Sequence, residues 1–260
     1  MARVSFPFSL IVFWHGFMNK IFLLCMCFVV FTWADQAHAD DFIQWHTSNI
    51  QVLKGAEYRV GDRNRTVITT EHAHGHAYGD NFIFVDWIWP HDGKPTFYGE
   101  FAPRISMSKV FNTDLSAGPI KDFLLSGMIE KPNHRKVRYL YGGAVDFNVQ
   151  GFKFFKTNLY VRDNPDLRGK TWQVTLVWNR PFQIGNTSWV AEGFADFAGA
   201  EGRTQPHQFI VPRFLLDVGK IAGHQEGKLW AGVEYSYWHN KFGIDGVTES
   251  HPQLQVKWVF

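Results

Sequence analysis

Residues 253–260, QLQVKWVF, alternate polar and apolar side chains up to the last position of the chain. Leu254, Val256, Trp258 and Phe260 share one face of an extended strand, because successive side chains of a strand point to opposite sides. A chain end in water usually frays, so this ending indicates a sheet whose outer face meets an apolar surface. We expect the segment to be the last strand of a closed sheet, paired with the first strand.

The first 39 residues indicate a targeting segment outside the fold. Lys20 precedes the apolar run IFLLCMCFVVFTW, and the small-x-small site AHA follows that run. This order is typical of a secretory signal peptide, so we expect a start at Met18, an upstream extension before it and cleavage after Ala39. The alternative is a membrane anchor that begins near Phe6, but Lys20 interrupts its apolar run.

The composition of residues 40–260 favours an exported membrane protein. Both cysteines, Cys25 and Cys27, precede the cleavage site, so we expect no disulfide in the mature chain. The net charge of the whole chain is only +2, which gives no reason to propose nucleic acid as a partner. Aromatic residues make up 17% of the chain, although its mean hydropathy is only −0.19. A transmembrane β-barrel reconciles the two values, because lipid-facing residues alternate with lumen-facing ones.

Period-two patterning divides residues 40–260 into about twelve segments separated by turn residues, and helical periodicity does not persist. The sequence therefore predicts an all-β, single-domain chain: a transmembrane antiparallel β-barrel of about twelve strands. The predicted strands cover 44–53, 65–76, 81–89, 96–108, 120–131, 137–148, 152–162, 170–182, 188–198, 206–218, 228–240 and 253–260.

The polar face of these strands indicates a wet interior. In WVAEGFADF, Glu192 and Asp196 lie on the face opposite Trp189, and two carboxylates on one strand face would be costly in a dry core. A water-filled lumen removes that cost. The connections also alternate, with longer charged ones predicted outside the cell and short ones such as QIGNTS in the periplasm, which places the protein in a bacterial outer membrane. The connection around FNTDLSAG is longer than this rule predicts.

The stretch EHAHGHAYGDNFIFVDWIW, residues 71–89, is the most distinctive part of the sequence. After a tight turn at residues 78–81, its second strand places aromatic residues and a carboxylate on one face, opposite Ile83 and Val85. Aromatic faces stack on flat ligands, and charged groups hydrogen-bond sugars or bases. The alternative is that these aromatics only fill the lumen or form an interfacial girdle. The candidate solute contacts are the lumen-facing residues Phe82, Phe84, Asp86, Tyr98, Glu100 and Arg104.

The stretches EHAHGHAYGDNFIFVDW, FYGEFAPRIS, YGGAVDFN and YSYWHNKFG, with the ending QLQVKWVF, resemble the nucleoside-specific channel-forming outer-membrane family (the Tsx family, with its OmpK-type members) over nearly all of residues 40–260. The resemblance implies a twelve-stranded barrel with a narrow lumen that passes nucleosides, and phage as a further partner. The final strand, with Trp258 and Phe260, also resembles the assembly signal that barrel-insertion machinery reads in outer-membrane proteins.

A metal site and an enzyme active site are the alternatives to a solute-binding lumen. His72, His74 and His76 share one strand face, so a metal site is conceivable. Strand parity nevertheless places them outside the barrel, opposite an inward Glu71, where interfacial packing is the simpler interpretation.

No nucleophile motif such as GxSxG occurs, and we expect no enzyme and no cofactor. We therefore expect a passive channel for nucleosides or similar small polar solutes in contact with outer-membrane lipid. The alternatives are a general pore or a surface receptor.

Overall fold

The computed structural model describes residues 42–260, so the predicted extension and signal peptide at residues 1–39 lie outside the described part. Within it, nearly every predicted strand is present within a few residues of its expected bounds. The strands are β1 (Ile43–Gly55), β2 (Arg65–His76), β3 (Gly79–Pro90), β4 (Thr96–Ser106), β5 (Ile120–Pro132), β6 (Arg138–Phe147), β7 (Phe154–Asp163), β8 (Thr171–Ile184), β9 (Thr187–Ala198), β10 (His207–Asp217), β11 (Leu229–His239) and β12 (Glu249–Val259).

These strands form one closed antiparallel barrel in which each strand pairs with its neighbours along the chain and β12 pairs with β1. The closing register places Val52 opposite Val256 and Ile50 opposite Trp258. Beyond the last pair, the Phe260 N–H donates to the Ser48 carbonyl oxygen at 3.0 Å. The prediction of about twelve antiparallel strands, with the last strand paired to the first, is confirmed.

The connections lie at two ends of the barrel. We call the end that carries residues 56–64, 91–95, 133–137, 164–170, 199–206 and 240–248 the loop end. The other, turn end carries residues 77–78, 107–119, 148–153, 185–186 and 218–228.

Two connections at the turn end are long: residues 107–119, where the sequence already indicates an exception to the rule, and residues 218–228. Helix α1 (Met107–Phe111) interrupts one connection, and helix α2 (Val218–Ile221) interrupts another. Each helix begins at a side-chain cap, since Ser106 Oγ accepts from Lys109 N at 3.1 Å and Asp217 Oδ1 accepts from Lys220 N at 2.9 Å. Local capping therefore adds a helical turn where the alternation of apolar residues ends.

The two faces of the barrel wall have opposite character. Many apolar side chains are exposed on the outer face, including Leu125, Leu159 and Trp172. Many lumen-side positions on the same strands are polar and buried, such as Asn158 beside Leu159, although a smaller apolar cluster around Met128 also lies inside. An exposed apolar outer wall around a largely polar interior differs from a water-soluble barrel, whose apolar residues fill the interior. Within residues 42–260 there is no helix long and apolar enough to cross a bilayer.

Candidate functional site

A cavity of about 1790 Å³ occupies the inside of the barrel. Its wall includes residues at the loop end, such as His134 and Phe242, and residues at the turn end, such as Asp122 and Gln150. The cavity therefore extends along the barrel from the connections at one end to those at the other. All six candidate residues from the sequence line it: Phe82, Phe84, Asp86, Tyr98, Glu100 and Arg104.

Three of these candidates form an aromatic cluster on neighbouring strands. The ring centres of Phe82 and Phe84 lie 5.9 Å apart, and those of Phe84 and Tyr98 also lie 5.9 Å apart. Phe84 is in register with Glu100, and Asp86 is in register with Tyr98, across the β3–β4 pair. The pleat thus places aromatic faces and carboxylates on one patch of the lumen wall, which we call the inner patch (Phe82, Phe84, Asp86, Tyr98 and Glu100).

Three carboxylates of the lumen have hydroxyl partners instead of cations. Thr69 Oγ1 donates to Asp86 at 2.6 Å, Tyr98 OH donates to Glu100 at 2.5 Å, and Thr175 Oγ1 donates to Asp196 at 2.5 Å. None of the three belongs to the ion pairs found among residues 42–260. No cation of the described residues lies within ion-pair distance of these three carboxyl groups, so their oxygens stay able to accept hydrogen bonds from a solute.

Arg104 lines the cavity, but its donors are already engaged. Its Nε and Nη2 donate to Asp80 at 2.8 and 2.6 Å, and its Nη1 and Nη2 donate to Asp146 at 2.7 and 3.0 Å. Lys156 adds a second cation, 3.3 Å from Asp80. These bonds join β3, β4 and β6, and the contact of Arg104 with a solute stays a prediction.

Other ion pairs cross the lumen between strands that are not neighbours. Arg213 on β10 reaches Glu71 on β2 at 3.2 Å, and its Nε donates to Glu234 at 2.6 Å. Lys257 on β12 reaches Glu192 on β9 at 2.6 Å. We call the Arg213–Glu71 and Lys257–Glu192 pairs the lumen chords. Three strands separate Arg213 from Glu71 and two separate Lys257 from Glu192, so the chords occupy part of the cross-section and narrow the path.

A second aromatic group, which the sequence analysis missed, lies toward the loop end. Trp238 stacks on Phe209 with ring centres 4.2 Å apart, Phe209 contacts Phe194 edge-on at 5.3 Å, and Phe242 contacts Trp238 at 4.5 Å. All four line the cavity, and we call them the mouth ladder. Strand parity could have identified Phe194, because it shares the inward face of Glu192 and Asp196 on β9.

A buried lysine, Lys241, packs against the mouth ladder. Lys241 Nζ lies 4.8 Å from the ring centre of Trp238 and 2.6 Å from Glu249, and its side chain is almost fully buried. Burial lowers the pKa of Lys241, and the charge of Glu249 opposes that shift. Tyr58, in the β1–β2 connection, faces Lys241 at 5.7 Å, and burial raises the pKa of its phenol. These groups fix part of the 240–248 connection over the cavity.

The histidines of the distinctive stretch lie on the opposite side of β2 from the lumen. Glu71 points inward, accepting from Asn49 at 3.0 Å, whereas His72 Nδ1 contacts Ser48 Oγ at 2.8 Å and His72 Nε2 contacts His74 Nδ1 at 3.1 Å. His74 Nε2 continues the chain to Asn81 at 2.9 Å. Residues 42–260 contain no group of three or more His, Cys, Asp and Glu side chains placed to bind a metal ion.

The two residues assigned to an assembly signal lie on the outer surface at the turn end. Trp258 is 48% exposed and Phe260 is 69% exposed, and Trp258 is in register with both Ile50 and Leu229. An exposed pair of aromatics at this position is free to contact lipid or a protein partner. Its role in assembly stays a prediction.

Comparison of the whole chain with protein-family models and with curated proteins gave no match. The resemblance of the sequence motifs to a known family therefore stays a hypothesis.

Proposed function

We propose that the protein is a bacterial outer-membrane channel for the passive uptake of nucleosides or similar small polar solutes. The observation that carries the proposal is the combination of an apolar outer face with a charged, aromatic-lined cavity inside one closed barrel. An apolar outer face is stable in lipid, and a polar interior is stable when it holds water. A closed barrel of this kind is suited to carry solutes rather than to form a dry core.

The inner patch is suited to bind a solute that has both a flat ring and hydroxyl groups. The rings of Phe84 and Tyr98 offer a face for stacking, while Glu100 and Asp86 accept hydrogen bonds from the hydroxyl groups of a sugar. A nucleoside presents both features, and it is also the solute that the sequence resemblance implies. The mouth ladder provides further aromatic surface between the loop end and the barrel interior.

Transport by this route requires weak binding at successive places. Stacking raises the occupancy of the lumen, polar neighbours replace part of the hydration shell, and the solute must leave again without an energy source. The lumen chords restrict the free cross-section, which favours small solutes over larger ones. The proposed mechanism involves no covalent step and no cofactor.

The test is single-channel recording in planar bilayers with and without added nucleosides. We expect saturable block of the ion current by nucleosides in the unmodified protein. Phe84→Ala should weaken the block by roughly 1–3 kcal/mol, the range known for base stacking on aromatic side chains. The matched control is Phe101→Ala, because Phe101 lies on the neighbouring strand and is exposed on the outer face.

Each possible result of these recordings tests a different part of the proposal. A current without any nucleoside block would leave a general pore and reject the nucleoside specificity. A block that Phe84→Ala leaves unchanged would reject the inner patch as the binding site. Absence of current in every preparation of folded protein would reject the channel itself.

A further inference from the structure

The positive charge at the loop end is concentrated in two neighbouring connections. Residues 133–137 contain Arg135 and Lys136 and no acid, and residues 164–170 contain Arg168 and Lys170 against Asp166. In each of the other four connections at this end, the Lys and Arg residues equal the Asp and Glu residues in number. The asymmetry marks one sector of the barrel, from β5 to β8.

Hydrogen bonds join the two connections into a single surface. The Lys136 backbone N–H donates to Asp166 at 3.3 Å, and Lys136 Nζ donates to the carbonyl oxygen of Pro165 at 3.3 Å. On the barrel side, Lys131 Nζ donates to the carbonyl oxygen of Arg135 at 2.8 Å. The cations of this surface are all exposed, and we call them the basic patch: Lys131, Arg135, Lys136, Arg168 and Lys170.

The basic patch faces outward instead of into the pore. None of its five cations is among the residues that line the cavity, although Asn133, His134 and Leu167 of the same connections are. Lys131 follows Glu130, whose side chain is buried in the lumen, so the pleat directs Lys131 to the outer face. A role in drawing anionic solutes into the lumen therefore fits this placement poorly.

An exposed band of aromatic and aliphatic side chains lies on the outer wall next to the patch, on the side toward the turn end. Tyr139, Tyr141 and Trp172 are exposed on the outer wall, with Leu159 and Val161 beside them. Lys170 is attached to this band, because its Nζ donates to Tyr141 OH at 2.9 Å and pairs with Asp163 at 2.9 Å. Tyrosine and tryptophan side chains concentrate at the boundary between hydrocarbon and headgroups, so cations just beyond them lie at headgroup level.

We infer that the basic patch is a docking surface for the phosphate groups of lipid A, the anionic glycolipid of the outer leaflet. Its charge is complementary to two phosphates on one sugar backbone, and the exposed band below offers contacts for the acyl chains. The inference depends on the membrane location in the proposed function. It does not depend on which solute passes through the lumen.

The experiment measures lipid binding by native mass spectrometry of the folded protein in neutral detergent micelles. The lipids are diphosphorylated lipid A, the same lipid with both phosphates removed, and phosphatidylglycerol. The patch variant carries Arg135→Gln, Lys136→Gln and Lys170→Gln. The matched control variant carries three exposed cations from the balanced connections, as Arg59→Gln, Lys94→Gln and Arg203→Gln.

We expect the unmodified protein and the control variant to retain diphosphorylated lipid A, and the patch variant to bind it about 10- to 100-fold more weakly, since each cation near a lipid surface contributes to binding. Equal binding by the patch variant would overturn the inference. So would equal binding of the dephosphorylated lipid, or equally tight binding of phosphatidylglycerol. The comparison of lipids needs only the unmodified protein, so it stays decisive if a variant fails to fold.

Planar-bilayer recordings of the patch variant separate this inference from the proposed function. We expect its conductance and nucleoside block to match those of the unmodified protein. Lipid A binding without any channel activity would reject the proposed function alone. Channel activity with no preference for lipid A would reject the docking surface alone.

Discussion

Replacing Leu125 with arginine tests whether the outer face of the barrel meets lipid. Leu125 lies near the middle of β5, its side chain is 57% exposed, and its partner across the β4–β5 pair is Ile105, which is also exposed. If this face met water, the substitution would alter the free energy of unfolding by no more than about 0.5 kcal/mol. At a lipid-facing position near the centre of a bilayer, the same substitution lowers the free energy of unfolding by about 2–4 kcal/mol.

Two other apolar residues provide matched controls at different depths. Ile184, the last residue of β8, and Ile221 in helix α2 are each 58% exposed, so they match Leu125 in both exposure and side-chain size. If the barrel spans a bilayer, Ile184→Arg should cost about 0–1 kcal/mol at the interface. Ile221→Arg, in a connection at the turn end, should cost within about 0.5 kcal/mol.

The assay is reversible urea unfolding in phospholipid vesicles, followed by tryptophan fluorescence, with the free energy of unfolding compared across the three variants. The expected order of destabilisation is Leu125→Arg first, then Ile184→Arg, then Ile221→Arg. Equal costs at the three positions would refute the assignment of the outer face to lipid, because exposure to water alone does not distinguish them. The same series in a water-soluble barrel would give three small and similar values.

Three further predictions concern the lumen and the closing strand. Asp86→Asn should reduce the preference for cations in reversal-potential measurements at alkaline pH, where an ionised lumen carboxylate without an ion pair attracts them; an unchanged reversal potential there would exclude Asp86 from the ion path. Arg213→Ala should raise single-channel conductance by removing a lumen chord and should destabilise the barrel by about 3 kcal/mol, since Glu71 and Glu234 lose their shared cation; unchanged conductance would mean that the chord does not narrow the path. Deleting Phe260 should lower the yield of membrane-inserted protein far more than deleting Asp245 in the exposed 240–248 connection, as measured by membrane fractionation, and equal yields would contradict its role in assembly.

The strands could be predicted from the sequence because their signal is local. Apolar and polar residues alternate within each segment, so the pleat alone assigns Gln173 to the lumen and Trp172 to the outside, as the structure has them. Closure of the barrel was also predictable, since an apolar strand such as β12 must find a partner. The start of β12 was predicted four residues late, because His251 and Pro252 do not have the apolar pattern of the residues that follow.

The details of the cavity depend on contacts between distant parts of the chain. The residues of the mouth ladder come from β9, β10, β11 and the 240–248 connection, so no short window of sequence contains them. The hydrogen bond from Arg104 to Asp146 is also a contact between distant parts of the chain, because β4 and β6 are not neighbouring strands. Parity identifies the side chains that point inward, but it does not identify the groups that pair with one another.

The pairing of the inward carboxyl groups bears on the solute selectivity of the proposed channel. Parity assigns Glu71, Asp86 and Glu192 to the lumen as three similar carboxylates, yet the chords bind Glu71 and Glu192 to cations and leave Asp86 with a hydroxyl partner. A paired carboxylate narrows the path and contributes little net charge, whereas the oxygens of Asp86 stay able to accept a hydrogen bond from a solute. In the proposed channel, selectivity therefore depends on which inward carboxyl groups remain without ion pairs, and those include two of the inner patch, next to the aromatic faces. A solute that stacks there meets acceptors for its hydroxyl groups, which is why the inner patch is the part of the lumen where substitution should alter nucleoside block without closing the pore.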